Sequence, residues 1–280
     1  MISTAFTTRR LFIAIPLLLA SAFMPVSVQA ETTDWVSNEG GRMRIVALAP
    51  DARGTVRGAL QIEPKAGWIT YWREPGDAGI PPHISFPETS GVSVSKISYP
   101  VPRRFDNGDV RDIGYDTAVS FPFELSVTNP NQPSAITASA FIGICRNICI
   151  PFQAEFNLGL KADGGTSFAE AMIINDAEGK LPEHPSDDFA VTHYSVSSDG
   201  DTLRLRLQLP KDAPKKPQVI VTGPEGHVLF NETKGERIED SYSVEMPVGK
   251  LPKGYDMKGK HWGILVLAGK RAMETSLAFE

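Results

Sequence analysis

The chain has 280 residues, 41% hydrophobic and 22% charged, with a formal net charge of −5. That acidic balance argues against a nucleic-acid partner, which requires a basic face. The 22 prolines and 24 glycines suit a loop-rich β protein better than a helical one.

The first element is an export signal. Arg9 and Arg10 form a positive n-region, and Leu11 to Ala22 is apolar apart from Pro16 and Ser21. Val28-Gln29-Ala30 supplies a small-x-small cleavage pattern, so residues 1–30 are expected to be removed. The apolar run is too short to serve comfortably as a retained anchor, and no later stretch approaches the roughly 20 apolar residues of a membrane helix. The expected mature protein is soluble, periplasmic and without stable membrane insertion. It is also more acidic, because the leader holds arginines and no acid.

Period-two alternation then recurs: Met43, Ile45 and Ala47; Val56, Leu60 and Ile62; Val92, Val94 and Ile97; Phe121, Phe123, Leu125 and Val127. Pro64, Gly67, Pro75-Gly76, Gly91 and Pro130 punctuate these runs, and Ala135–Ile144 and Phe152–Leu160 read as two further strands. The pattern breaks at Gly164-Gly165-Thr166. Thr166 is expected to cap a short helix from Ser167 to about Asn175, with Glu170 as the capping-box acid. Lys180 to Asp188, with Pro182 and Pro185, reads as a linker. Strands resume at Phe189, and Leu203, Leu205, Leu207 and Leu209 alternate with Arg204, Arg206 and Gln208. The fold class is all-β. Two β-sandwich domains, 31–165 and 189–280, are joined by a helix and linker over 166–188.

Two cysteines, Cys145 and Cys149, lie four apart in Phe141-Ile142-Gly143-Ile144-Cys145-Arg146-Asn147-Ile148-Cys149-Ile150-Pro151. In an exported chain such a pair forms an intramolecular disulfide. Its loop of about five residues contributes only about 2 kcal/mol in the chain-entropy model. That leaves two roles open, a brace at a hairpin end or redox chemistry. Arg146 adjoins Cys145, and no Asp or Glu occurs from Ala135 through Ala154, which favours thiolate; Ile144, Ile148 and Ile150 oppose it wherever they bury sulfur. Capture of Cu(I) by the two thiolates lacks nearby Met or His ligands, the five histidines being scattered. No zinc, nucleophile-elbow, phosphate-loop or dinucleotide motif occurs, so neither a metal nor a cofactor is expected.

Gly67-Trp68-Ile69-Thr70-Tyr71-Trp72-Arg73-Glu74-Pro75-Gly76-Asp77-Ala78-Gly79-Ile80-Pro81-Pro82 resembles the signature of the periplasmic N-terminal (alpha) region of the DsbD/ScsB thiol:disulfide interchange family. Tyr99-Pro100, Arg104-Phe105, Gly114-Tyr115 and the Cys-x-x-x-Cys-x-Pro element follow in the family's order. The resemblance is strong over Trp35–Leu160 and loose beyond. It implies an immunoglobulin-like sandwich whose cysteines, Cys145 and Cys149 here, relay reducing equivalents. A transmembrane DsbD/ScsB-type reductase would supply them, and thioredoxin-like periplasmic proteins would be the other partners. Cys149 is the expected nucleophile toward the outgoing substrate, with Cys145 resolving. The family's aromatic cap loop corresponds to Asp106–Gly114, which holds no aromatic, so Ile113, Tyr115, Phe105 or the tryptophan-rich loop must shield the sulfurs. Because the sequence ends at Glu280 without a membrane domain, the reductase is expected to be a separate protein. Arg146, Tyr115, Trp72 and Arg73 are the expected partner-contacting residues, Arg73 also supporting a thiolate; Trp68 and Tyr71 are expected to pack the core. The alternatives are a non-enzymatic binding module with a structural disulfide, and a copper-stress protein.

Overall fold

The computed structural model describes residues 31–76, 79–107, 110–129, 134–160, 168–229 and 231–280. The expected leader, residues 1–30, and the expected helix cap, Thr166, lie outside them.

The strands of the first half are β1 (Glu31–Thr32), β2 (Val36–Ser37), β3 (Gly41–Ala47), β4 (Thr55–Pro64), β5 (Ile69–Gly76) and β6 (His83–Ser85). They continue as β7 (Val92–Ile97), β8 (Arg103–Asn107), β9 (Val110–Tyr115), β10 (Val119–Val127), β11 (Ser134–Cys145) and β12 (Cys149–Leu160). One sheet has the order β1-β3-β4-β10-β7, with β2 on β3; the other runs β12-β11-β5-β9-β8, with β6 on β11. Alternation turns Met43, Ile45, Leu60, Ile62, Phe121 and Leu125 of the first sheet inward, into one core with Trp72, Ile113, Ile142 and Phe152 of the second.

Val46 and Ala59 point the other way and are nevertheless buried, because helix α1 (Phe168–Glu178) lays Ile174 on them. Arg57 holds the helix there, donating to the Glu178 carboxylate at 2.5 and 3.0 Å and to Asn175 Oδ1 at 2.8 Å. Glu170, expected as a capping acid, is a buried residue of the helix's first turn and accepts a 2.7 Å hydrogen bond from Thr32 Oγ1.

The second half contains β13 (Ala190–Val196), β14 (Thr202–Gln208), β15 (Gln218–Thr222), β16 (Val228–Leu229), β17 (Lys234–Ile238), β18 (Ser241–Pro247), β19 (Lys260–Ala268) and β20 (Arg271–Phe279). These form two sheets, β13-β14-β18-β17 and β16-β15-β19-β20. Leu203, Leu205 and Leu207 join Trp262 and Ile264 in a second core, while Arg204 and Arg206 face water. The molecule is thus all-β with an immunoglobulin-like fold.

The stretch expected to be a linker is strapped to β20. Glu183 N–H donates to Ala272 O at 2.7 Å, Glu274 N–H donates to Glu183 O at 3.0 Å, and Arg271 forms ion pairs with both Glu183 and Asp188. Nearby, Ile220, Leu265 and Ala272 of the second half pack into the first core, and Arg73 of β5 forms an ion pair with Glu274 of β20 while lying 4.1 Å over the Trp72 ring.

Two outcomes are expected. Trp72 is fully buried, so Trp72→Ala should cost about 3–5 kcal/mol of stability; a loss under about 1 kcal/mol in denaturant titration would contradict this packing. Burial pushes the hydroxyls of Tyr71, Tyr115 and Tyr242 above the ordinary 10.0. Each therefore ionises more readily in the unfolded chain, so the stability that depends on the neutral phenols is complete below pH 10 and declines as pH rises toward the folded values. Denaturation midpoints that stay flat between pH 9 and 11.5 would refute it.

Candidate functional site

The two cysteines close the β11–β12 hairpin. Both strands are 12 residues long and pair in continuous register from Ser134↔Leu160 to Cys145↔Cys149, leaving Arg146-Asn147-Ile148 as the loop. Directly opposed residues share a face of a sheet, which brings the sulfurs together, and the disulfide is formed. Its ends differ in access: Cys145 is only 4% exposed, whereas Cys149 faces solvent.

On the other side of β11, Cys145 is opposite Ile69 and Ile144 is opposite Thr70 of β5. This register decides what each residue of the tryptophan-rich motif can do. Ile69 and Tyr71 share the outer face with the cysteines, and Thr70 and Trp72 turn into the core. Tyr71 directs its hydroxyl to Cys149 Sγ, 3.5 Å away. The sulfur of a disulfide has no proton, so the phenol is the donor there. Burial raises the Tyr71 pKa, and the Asp112 carboxylate, both by its charge and as a hydrogen-bond partner of the hydroxyl, raises it further. The phenol is thus kept neutral.

Although Tyr71 is on an outer face, it is only 1% exposed, because the chain after β5 folds back across its ring. The close approach requires Gly79, where a Cβ would stand 2.2 Å from Tyr71 Cδ1. The same segment rests on the hairpin at Gly143, whose N–H donates to Ile80 O at 3.2 Å and whose added Cβ would come within 2.8 Å of Ile80 Cβ.

The residues singled out in the sequence divide into two groups. Cys145, Cys149 and Arg146 come together, with the Arg146 guanidinium 5.5 Å from the centre of the Trp68 ring. Trp72, Tyr115 and Arg73 are not part of an exposed docking surface. Trp72 lies on the core face of β5. Tyr115, opposite Thr70, is also buried; its hydroxyl donates to Pro100 O at 2.7 Å and its ring meets Phe121 edge-on at 5.3 Å. Arg73 is four residues beyond Ile69 along an extended strand, about 13 Å from the cysteine end, and is engaged with Glu274. It therefore joins the two halves of the molecule and does not stand beside the thiols. Ile113 is in the core, so the side chain that meets the Cys149 sulfur is Tyr71. The stretch expected as a cap loop contributes to the β8–β9 hairpin, with 108–109 outside the described residues.

The Tyr71–Asp112 pair was not identified from sequence. The signal was available in part: Tyr71 is on the face of Ile69, and Asp112 is two residues from Gly114, which opposes Tyr71. Among the described residues no three His, Cys, Asp or Glu side chains converge as a metal group, and no helix is long and apolar enough to cross a membrane.

Gly79→Ala should displace the covering segment and open the disulfide, raising the rate of its reduction by dithiothreitol severalfold. An unchanged rate, followed by thiol alkylation, would show that this segment does not control access.

The family profile described as "Thiol:disulfide interchange protein DsbD, N-terminal" matches residues 43–161. A search of curated proteins gives no match. Among solved structures the chain is similar to the N-terminal periplasmic domain of ScsB from Proteus mirabilis, with a TM-score of 0.73 and 23% identity over 90% of this chain and 99% of that one. That likeness bears on the fold, and the profile match takes in the hairpin, both cysteines, Tyr71 and Asp112. Residues 43–161, which hold the cysteine hairpin, therefore match the N-terminal region of the DsbD thiol:disulfide interchange family.

Proposed function

We propose that this protein is a periplasmic thiol–disulfide exchange protein that relays reducing equivalents between a membrane reductase and periplasmic partners through Cys145 and Cys149. The observation that carries the reading is the asymmetry of the disulfide. Cys149 is an exposed residue whose sulfur is hydrogen-bonded to Tyr71, while Cys145 is buried. A hairpin brace has no need of that arrangement.

The exchange follows from the geometry. A partner thiolate attacks Cys149 Sγ, the Cys145–Cys149 bond breaks, and Cys145 leaves as a thiolate and takes up a proton. The partner's second thiolate then attacks its own sulfur in the mixed disulfide, and Cys149 departs and is protonated. Two electrons and two protons have moved; the partner is oxidised and the hairpin reduced. Run in reverse against an oxidised protein, the same steps make Cys149 the nucleophile and Cys145 the resolving thiol. Tyr71 supplies a hydrogen bond to the departing Cys149 sulfur.

The expected leader supports an oxidising compartment, and the division into sandwiches at 31–165 and 189–280 with a 166–188 connection supports a discrete redox module. Arg146 belongs to the proposed partner-contacting surface.

Single-cysteine trapping tests the assignment. Cys145→Ala should accumulate mixed disulfides through Cys149, and Cys149→Ala should accumulate few; the opposite pattern would reverse the two roles. The reduction potential should lie above about −300 mV, since a lower value marks an inert structural bond.

A further inference from the structure

Between the two cysteines the chain exposes Arg146, Asn147 and Ile148. Ile148 is 70% exposed, one of four large apolar side chains so presented among the described residues, and it immediately precedes the open sulfur. Arg146 has no ion-pair partner among the described residues; its guanidinium is held over Trp68, whose ring is anchored in the core. The approach is close on the other side too, since Arg146 Cδ lies 3.7 Å from where a Cβ at Gly67 would stand. The stretch of chain around the tip carries no acid, none occurring from Ala135 through Ala154. Stacking on an aromatic face restricts where the charge can go. The tip therefore presents a fixed cation and an uncovered apolar side chain on either side of Asn147, next to the attackable atom.

We infer that Trp68, Arg146 and Ile148 form a recognition platform that selects dithiol proteins whose reactive cysteine is flanked by a carboxylate and an apolar side chain. The inference rests on the exchange reading above and adds the partner's chemistry to it. The cation attracts the carboxylate during encounter, and the apolar contact excludes water around the sulfurs as they exchange. The covalent steps are those already described, with the partner dithiol as the reductant.

Two synthetic peptides with the same Cys-Gly-Pro-Cys core test it, one flanked by Glu and Leu and the other by Lys and Ser. Each is mixed with the full-length oxidised protein, and the ratio of the two reduction rates is read by thiol alkylation. The Glu/Leu peptide should be at least about tenfold faster at low ionic strength, with the advantage shrinking as salt is added. Arg146→Glu should invert the charge preference, Ile148→Ser should lower the ratio severalfold, and Arg146→Lys, which keeps the charge without the planar stack, should fall between. Arg206→Glu, an equal charge change on an exposed position of the other half, should leave the ratio within twofold. Equal rates for the two peptides in the unaltered protein would overturn the inference, as would an equal shift from Arg206→Glu, which would mark a net-charge effect. If dithiothreitol reduces the pair but neither peptide does, the exchange reading itself fails.

Discussion

The pairing of β5 with β11 is the constraint on which the site depends. Two register pairs, Ile144↔Thr70 and Cys145↔Ile69, dock the tryptophan-rich strand against the cysteine hairpin. Because side chains alternate, that single placement sends Thr70 and Trp72 into the core and brings Tyr71 to the sulfur. Farther along the same strand, Arg73 meets the second half of the molecule. A slip of one residue would exchange these faces, putting the indole of Trp72 outside and the phenol of Tyr71 within. The site's chemistry and the join between the two halves are therefore set by one strand.

The disulfide is not the main support of the hairpin that carries it. A loop this small contributes about 2 kcal/mol, whereas the long β11–β12 ladder and the Ile142, Ile144 and Phe152 side chains beneath it are built into the core. The bond can therefore take part in chemistry without endangering the fold. The two cysteines also differ for a structural reason. Cys145 ends a strand enclosed by β5 and the Gly79–Ile80 segment, while Cys149 begins β12, the edge strand of its sheet.

Much of the architecture was legible in the sequence. The leucine–arginine alternation of β14 gave its faces residue by residue, and the runs flanking the cysteines gave both hairpin strands. The alternation of Met43, Ile45 and Ala47 gave the inner face of β3, but not that Val46 on its outer face is covered by α1. Strand β17, Lys-Gly-Glu-Arg-Ile, carries no apolar alternation and forms because β18 offers it an edge. At the site, the hairpin brings together the cysteines and Arg146 named from sequence, whereas Trp72 and Tyr115 are buried and Arg73 pairs with Glu274. Alternation gives the face of a residue without saying what lies over that face. Tyr71 is covered by a returning loop, and the partner of Arg73 is 201 positions away. Contacts at such separation leave no local pattern.

The uninterrupted ladder behind the cysteines has one more consequence. When the bond at its end opens, nothing else in the hairpin needs to move, so backbone spectroscopy and overall dimensions would register the same molecule before and after. Whatever meets this surface must read the oxidation state from the sulfur atoms themselves, since shape carries almost no message.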